Sequence, residues 1–503
     1  MRITFVTARL NGEEIVQHIS ELPDIRAARN PTGPCIADDR ERLDNDAFLK
    51  RVRSAAGVLR VHGIGVGDVV AVALANRLEL VVIMFAAWRL GAAVTPVNPG
   101  LTDAEARHQI EDSGAKVVIT DGRGTGTLDV TAFAGAAVQT QDAVSPASGA
   151  VLPALDSLAL IIYTSGTTGR PKGVMLDHAN IAAMCRMIVD GIGLDETDHS
   201  LLVLPLFHVN GIVVSVLSPL LAGGRATIAG RFRASSFFAS VEAARPTYFS
   251  AVPAIYAMLV SLPDDVRPDT SSLRRAICGA APMPAELIAR FENRFGVPVV
   301  EGYGLSEGTC ASTLNPPAGP RKPGTVGLPL PGQTVAVMDA EGHLLDAGSV
   351  GEVVVRGPNV MRGYLGLPDE TARTVVDGWL HTGDVGRFDT DGHLVLVDRI
   401  KDMIIRGGEN IYPKEIENVL HTHPAVLEAA VVGAPEPVLG EVPVAYVTLL
   451  PGAAATAEEL VDHCRGTLAR VKVPVSVVVT ESLPKNPVGK IDKPRLRSFT
   501  VTS

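Results

Sequence analysis

A loop rich in glycine and hydroxyl residues follows a short apolar segment in the first half of the chain. Residues 158–162 have the length and composition of a buried strand, and residues 163–173 read Tyr-Thr-Ser-Gly-Thr-Thr-Gly-Arg-Pro-Lys-Gly. Glycines let a backbone bend around an anion, hydroxyls add donors, and Lys172 adds a positive charge. The pattern predicts a polyphosphate-binding loop, although its spacing is not that of a Walker A loop. A polar surface turn is the alternative.

Segments of strand and helix character alternate before this loop. Thr102 and Glu105 form a predicted capping box at the start of one helix. The alternation predicts parallel sheets covered by helices. Because ligands collect at the carboxyl ends of parallel strands, the loops after later strands are expected to share one pocket. The predicted strands are 69–74, 92–97, 116–120, 249–252, 275–278 and 299–303, and the predicted helices are 78–90 and 102–113.

Residues 201–221 contain no charged residue and are nearly long enough to span a membrane. Pro205, His208, Asn210, Gly211 and Pro219 argue against a membrane span. The segment predicts a short buried strand, a polar turn at 208–211 and then a buried helix.

Composition places the chain among globular proteins with more than one domain. It has 503 residues, of which 46% are hydrophobic and 20% charged. A net charge of −10 argues against general nucleic-acid binding. The five scattered cysteines indicate neither a zinc site nor a disulfide framework and fit a reducing compartment. Residues 1–9 lack the apolar core of a signal peptide, so a cytoplasmic location is predicted, with peripheral membrane association left open.

The pattern changes in the last third of the chain. Residues 334–338, 351–356 and 394–397 predict strands separated by short turns, as in an antiparallel or barrel-like subdomain. A small α+β module follows. We therefore predict an α/β protein with a large N-terminal domain over 1–399, made of parallel-sheet subdomains and a barrel-like β subdomain. A small mobile α+β domain over 400–503 is predicted to follow it.

Seven motifs, in order, resemble those of the adenylate-forming superfamily, which includes acyl- and aryl-CoA synthetases, peptide-synthetase adenylation domains and beetle luciferases. The resemblance is strongest to fatty-acyl and short-chain acyl-CoA synthetases. The motifs occupy residues 163–173, 279–282, 302–307, 381–384, 398–402, 406–410 and 484–490.

The resemblance implies an ATP site built from these motifs. The phosphate loop would hold the β- and γ-phosphates, Tyr303 would stack on adenine, and Asp384 would accept from the ribose hydroxyls beside Arg399. The implied ATP and AMP ligands are Thr164, Ser165, Gly166, Thr167, Thr168, Gly169, Lys172, Gly279, Ala280, Ala281, Gly302, Tyr303, Gly304, Asp384 and Arg399.

The resemblance also implies the catalytic groups. Lys490 would reach the reacting carboxylate and α-phosphate, and Glu307 would bind Mg²⁺ together with Thr164. Ser306 stands where the family usually has threonine, and either residue offers a hydroxyl to the α-phosphate. Lys401 maps to the family's hinge, while Gly407 and Gly408 map to the tunnel for the CoA arm.

The implied acid pocket is lined by His208, Ser250, Val252 and Gly304. No aspartate occurs between 201 and 221, where peptide-synthetase domains usually offer one to a substrate amine, so an amino acid is disfavoured. A fatty or other small apolar carboxylic acid is the predicted substrate. A hydrogen-bonded core histidine is the alternative for His208.

Together these motifs predict an ATP-dependent acid–CoA ligase. A carboxylate and ATP would give acyl-AMP and pyrophosphate, and CoA would then give acyl-CoA and AMP. Two alternatives stay open: an enzyme that passes the acyl group to a carrier protein, and a non-catalytic nucleotide-binding homologue. ATP, Mg²⁺ and coenzyme A are the expected cofactors, and a homodimer is an open question.

Overall fold

The computed structural model of the chain describes residues 18–122, 127–134, 153–164, 171–281, 283–450, 452–485 and 491–500. Six of the predicted site residues lie outside these ranges. They are Ser165, Gly166, Thr167, Thr168, Gly169 and Lys490.

The largest sheet has nine strands, of which six consecutive ones run parallel. This first sheet contains the strands predicted near 249, 275 and 299, so their carboxyl ends lie side by side, as expected. In spatial order its strands are Leu328–Pro329, Thr313–Leu314, Val299–Tyr303, Arg275–Cys278, Tyr248–Ala251, His199–Leu202, Arg225–Ile228, Pro34–Ala37 and Arg42–Asp44.

A second sheet of seven strands carries the predicted phosphate loop. Its strands Leu158–Thr164 and Lys172–Asp177 pair antiparallel, with Thr164 opposite Lys172, so the loop joins two strands of one hairpin. A Walker A loop instead leads from a strand into a helix, which explains the different spacing. The remaining strands, in spatial order around this hairpin, are Gly363–Tyr364 on one side and Ala93–Pro96, Val69–Val72, Val117–Thr120 and Leu128–Asp129 on the other.

Two further sheets occupy the last third of the chain. The third sheet is antiparallel, as predicted, and its long strand Trp379–Phe388 was not foreseen from the sequence. The fourth sheet belongs to the predicted α+β module. The third sheet contains Thr334–Met338, Gly351–Arg356, Val375–Val376, Trp379–Phe388 and Leu394–Arg399; the fourth contains Ile404–Arg406, Glu409–Ile411, Val426–Glu436, Gly440–Leu449 and Ser476–Val479.

Helices cover both faces of the first sheet. The capping box predicted at Thr102 and Glu105 is confirmed, and others form at Asp177 and Asn180 and at Thr456 and Glu459. None of the helices in the described ranges is long and apolar enough to cross a membrane. The α-helices are Leu22–Arg29, Asn45–Val61, Leu78–Arg89, Asp103–Asp112, His178–Ile192, Val209–Ile212, Ser218–Leu221, Ala234–Ala244, Pro253–Val260, Ala285–Phe295, Pro368–Thr374, Pro413–His421, Ala457–Arg465 and Lys493–Thr500.

The polar turn predicted at 208–211 is wrong. The chain is helical from Val209 to Ile212 and continues through a π-helical turn, Val213–Leu217, into Ser218–Leu221. Gly211 does not serve a turn: a Cβ there would lie 2.6 Å from the Pro205 carbonyl oxygen, so glycine lets the helix approach the preceding segment. Burial of the apolar residues around it outweighs the local turn preference.

Candidate active site

Small residues at the carboxyl ends of the first sheet allow backbone segments to meet closely. A Cβ on Gly304 would lie 2.0 Å from the Cys310 carbonyl oxygen and 2.6 Å from the Ala311 Cα. Ala280 adopts φ +67°, a left-handed conformation that L residues seldom take. Both residues belong to the predicted nucleotide site, where such strained backbone is often found.

Gly304→Ala is expected to destabilise the protein by about 1–3 kcal/mol, because only backbone movement can accommodate the new methyl group. Gly308→Ala is the matched control, since a Cβ there would lie 3.4 Å from its nearest neighbour, the side chain of Leu305. Urea unfolding of both variants measures the difference. Equal stability of the two variants would show that the close approach at Gly304 is unimportant.

Tyr303, Asp384 and Arg399 form one hydrogen-bonded cluster. Asp384 is 6% exposed and accepts from the Tyr303 hydroxyl at 2.7 Å through Oδ2 and from Arg399 Nε at 2.9 Å through Oδ1. Burial, reinforced by the Asp384 carboxylate, raises the pKa of the Tyr303 hydroxyl well above its usual value, so this group remains a donor. The structure thus places the predicted adenine, ribose and arginine positions in direct contact.

A second cluster links the phosphate hairpin to Glu307. Lys172 forms an ion pair with Glu370, and its Nζ lies 4.9 Å from the centre of the Tyr364 ring. The Tyr364 hydroxyl donates to Glu307 Oε1 at 2.9 Å. Sequence reasoning missed Tyr364 and Glu370, because the residues they bind are 57 and 198 positions away.

The predicted binding of Mg²⁺ by Glu307 fits the position of this residue beside the phosphate hairpin. No group of three or more His, Cys, Asp or Glu side chains in the described part of the chain could hold a metal ion. Mg²⁺ commonly binds through one or two carboxylates together with substrate phosphates, and Glu307 is a carboxylate beside the phosphate hairpin. Thr164 ends one strand of that hairpin, and Ser306 begins the short 3₁₀ turn Ser306–Gly308 that contains Glu307.

Tyr364→Phe is expected to raise the apparent KM for Mg²⁺ about tenfold, because losing a hydrogen bond to a charged group costs about 1.5 kcal/mol. The Tyr364 ring and its contact with Lys172 would remain. Tyr163→Phe is the control, since its hydroxyl instead donates to Asp112 Oδ2 at 2.7 Å. Pyrophosphate release titrated with Mg²⁺ measures the effect; an unchanged magnesium dependence would argue against orientation of Glu307 by Tyr364.

The predicted hinge residue, Lys401, lies between two aspartates, Asp398 and Asp402, that both contact the C-terminal module. Asp398 Oδ2 accepts the Lys414 backbone N–H at 2.7 Å, and Asp402 Oδ1 accepts from Arg497 at 3.0 Å. Arg497 also donates to the Lys401 carbonyl oxygen at 3.2 Å. A rotation at Lys401 would therefore have to break the Asp398–Lys414 bond. The hinge itself and the domain boundary at 399/400 stay predictions.

Gly407 and Gly408 form the tight turn between the strands Ile404–Arg406 and Glu409–Ile411. Their φ angles are +59° and +86°, so the hairpin geometry alone favours glycine at both positions. A Cβ on Gly408 would meet no atom within 4 Å. Lining of a CoA tunnel by these glycines stays a prediction.

The predicted acid-pocket residues lie around the carboxyl ends of the first sheet. Ser250 is fully buried in the strand Tyr248–Ala251, Val252 follows it, and His208 precedes the helix Val209–Ile212. A further residue, Asn210, lies against Gly279: its Nδ2 is 4.0 Å from the position a Gly279 Cβ would take. Sequence reasoning assigned Asn210 to a turn, although an amide within a long apolar segment was the available signal.

Comparison with known proteins is consistent with this geometry. Residues 24–365 match the model of the AMP-binding enzyme family, and residues 415–490 match that of the AMP-binding enzyme C-terminal domain. The chain therefore belongs to the AMP-binding enzyme family, the adenylate-forming superfamily.

Similar proteins and solved structures indicate which enzymes of this family the chain resembles. The oxalate–CoA ligase of Arabidopsis thaliana is 37% identical over 88% of this chain and 90% of its own length. A feruloyl-CoA synthase of Amycolatopsis is 37% identical over 96% of this chain and 99% of its own. ATP-bound MatB from Rhodopseudomonas palustris superposes with a TM-score of 0.88 at 32% identity, covering 95% of this chain and 98% of that one.

A complex with nucleotide and metal is also similar. The o-succinylbenzoate CoA synthetase MenE of Bacillus subtilis, with ATP and magnesium ion, has a TM-score of 0.84 at 31% identity and covers 96% of this chain and 99% of that one. Within its family, this chain stands among the AMP-forming acid–CoA ligases, the class that uses ATP, Mg²⁺ and coenzyme A.

Proposed function

We propose that this protein activates a small carboxylic acid with ATP and transfers the acyl group to the thiol of CoA. The observation that carries the proposal is the pair of clusters around the nucleotide motifs, Tyr303–Asp384–Arg399 and Lys172–Tyr364–Glu307. The relatives act on acids as different as oxalate and ferulate, so the acid must be argued from this chain's own pocket.

In the first half-reaction a carboxylate oxygen attacks the α-phosphorus of ATP, and pyrophosphate leaves. Asp384 accepts hydrogen bonds from the ribose, and Lys172 and the hydroxyl-rich loop hold the outer phosphates. Glu307 would hold Mg²⁺, which would supply positive charge to the phosphate oxygens. Lys490 donates to the reacting carboxylate and the α-phosphate. The nucleophile is already an anion, so the protein's task is to position the reactants and stabilise charge.

In the second half-reaction the CoA thiol attacks the acyl carbonyl, and AMP leaves with the former carboxylate oxygen. The C-terminal module rotates at Lys401, which removes Lys490 and brings the turn at Gly407 and Gly408 toward the acyl group. The substrate is proposed to be a fatty or other small acid with an uncharged, largely apolar tail, because none of the pocket residues His208, Ser250, Val252 and Gly304 is a lysine or arginine.

Pyrophosphate release from ATP and Mg²⁺ tests this proposal when it is followed across short, medium, long, dicarboxylic, aryl and amino acids, with and without CoA. CoA-dependent formation of an acyl-CoA is the expected result. Acid-dependent pyrophosphate release without a CoA product would favour transfer to a carrier protein. No acid-dependent release with any acid would favour a non-catalytic nucleotide-binding protein.

A further inference from the structure

Two buried polar atoms at the predicted acid pocket have no hydrogen-bond partner among the residues that the structure describes. They are Asn210 Oδ1 and Ser250 Oγ, and Ser250 as a whole is fully buried. Buried polar atoms are nearly always paired, so an exception at a predicted binding site needs an explanation, and a ligand group is one.

Both groups belong to the same side of the first sheet. The Tyr248 hydroxyl donates to the Val214 carbonyl oxygen at 2.7 Å, so the side chain of Tyr248 points to the helical segment that contains Asn210. Side chains two positions apart on a strand share a face, and Ser250 therefore points the same way. Ile277 lies on the neighbouring strand and packs in the same hydrophobic core cluster as Tyr248 and Val213. The two strands therefore present one continuous face to this helical segment.

Asn210 lies at the end of this face that is next to the nucleotide motifs. A Cβ on Gly279 would lie 3.6 Å from the Gly302 carbonyl oxygen and 4.0 Å from Asn210 Nδ2. Gly279 and Gly302 are predicted nucleotide-site residues, so the Asn210 amide lies at the junction of the acid pocket and the nucleotide site. Because the carboxylate is proposed to react at the nucleotide site, a substrate group that reaches Asn210 is expected to be close to the carboxylate.

We infer that the pocket selects a carboxylic acid that carries a hydroxyl group near its carboxylate. This inference rests on the proposed function and narrows its substrate class. A hydroxyl both donates and accepts, so it can satisfy the amide of Asn210 in either orientation, and the Ser250 hydroxyl can complete the pair. An unsubstituted alkyl acid would leave both protein groups unpaired, which is the situation in which hydrogen-bonding sites discriminate strongly.

Matched acid pairs test the inference: lactate against propionate, and 3-hydroxybutyrate against butyrate. We expect kcat/KM for acyl-CoA formation to favour the hydroxylated member of at least one pair by about tenfold or more. Asn210→Leu should remove that preference by lowering kcat/KM for the hydroxy acid more than for its partner. Ser250→Ala should weaken the same preference and provides a second test if the leucine variant fails to fold.

Ser218→Ala is the matched control. Its hydroxyl is also buried, but it lies beside Cys185 of the helix His178–Ile192. The preference should survive in this variant. Turnover of both members of every pair at equal kcat/KM by the wild-type protein would overturn the inference and leave the proposed function standing, whereas no acid-dependent turnover with any acid would overturn both.

Discussion

Asp384→Ala is expected to lower kcat/KM for ATP by about 10²- to 10³-fold, because hydrogen bonds to a carboxylate contribute about 1.5–3 kcal/mol each. The buried carboxylate accepts from Tyr303 and Arg399 and is proposed to accept from the ribose as well. Its removal leaves the buried Tyr303 hydroxyl and the arginine without their acceptor. Steady-state pyrophosphate release at varied ATP measures the loss.

Asp391→Ala is the matched control for this variant. Asp384 belongs to the strand Trp379–Phe388, and Asp391 lies on the turn that follows this strand. The Asp391 side chain is 65% exposed and pairs with Lys322 at 2.8 Å. Exposed ion pairs contribute little, so activity should stay within about twofold of wild type. Similar losses in the two variants would mean that Asp384 acts through folding and not through the nucleotide.

Lys490→Ala is expected to reduce adenylation at least about 10²-fold, as removal of one preorganised donor to a developing charge does in other enzymes. Formation of acyl-CoA from supplied acyl-adenylate should proceed at nearly the wild-type rate, because the proposed rotation has then taken Lys490 away from the acyl group. Separate assays of the two half-reactions measure this contrast.

Lys485→Ala supplies the comparison, since Lys485 precedes Lys490 by five positions and pairs with Glu428 at 2.8 Å on the surface. That variant should retain both half-reactions within about twofold. If Lys490→Ala instead slowed both half-reactions equally, the assignment of Lys490 to adenylation alone would be wrong.

The sequence predicted those parts of the fold that depend on local patterns. The capping box at Thr102 and Glu105 and the helix Leu78–Arg89 follow from capping residues and from periodicity, which are signals between residues close in the chain. The strand ends around Ser250, Gly279 and Gly302 were also expected at one edge, because parallel strands place their carboxyl ends together.

The contacts within the candidate site could not be predicted in this way. Tyr303 binds Asp384, which is 81 positions away in the sequence, and Lys172 pairs with Glu370, which is 198 positions away. Residue periodicity relates only neighbours in the chain, so it cannot predict pairs that are this far apart. The helix around Asn210 was missed for a related reason: tertiary burial overrode the turn preference of its polar residues. The resemblance supplied roles for single residues, but only the folded chain shows which side chains hold them in place.

The most direct test of acyl-adenylate formation is to follow an ¹⁸O label from the carboxylate of a turned-over acid. If the carboxylate attacks the α-phosphorus and CoA then displaces AMP, each turnover must leave one labelled oxygen in the phosphoryl group of AMP and none in pyrophosphate. Label in inorganic phosphate, with ADP as the nucleotide product, would mean attack at the γ-phosphorus and would contradict the proposed mechanism.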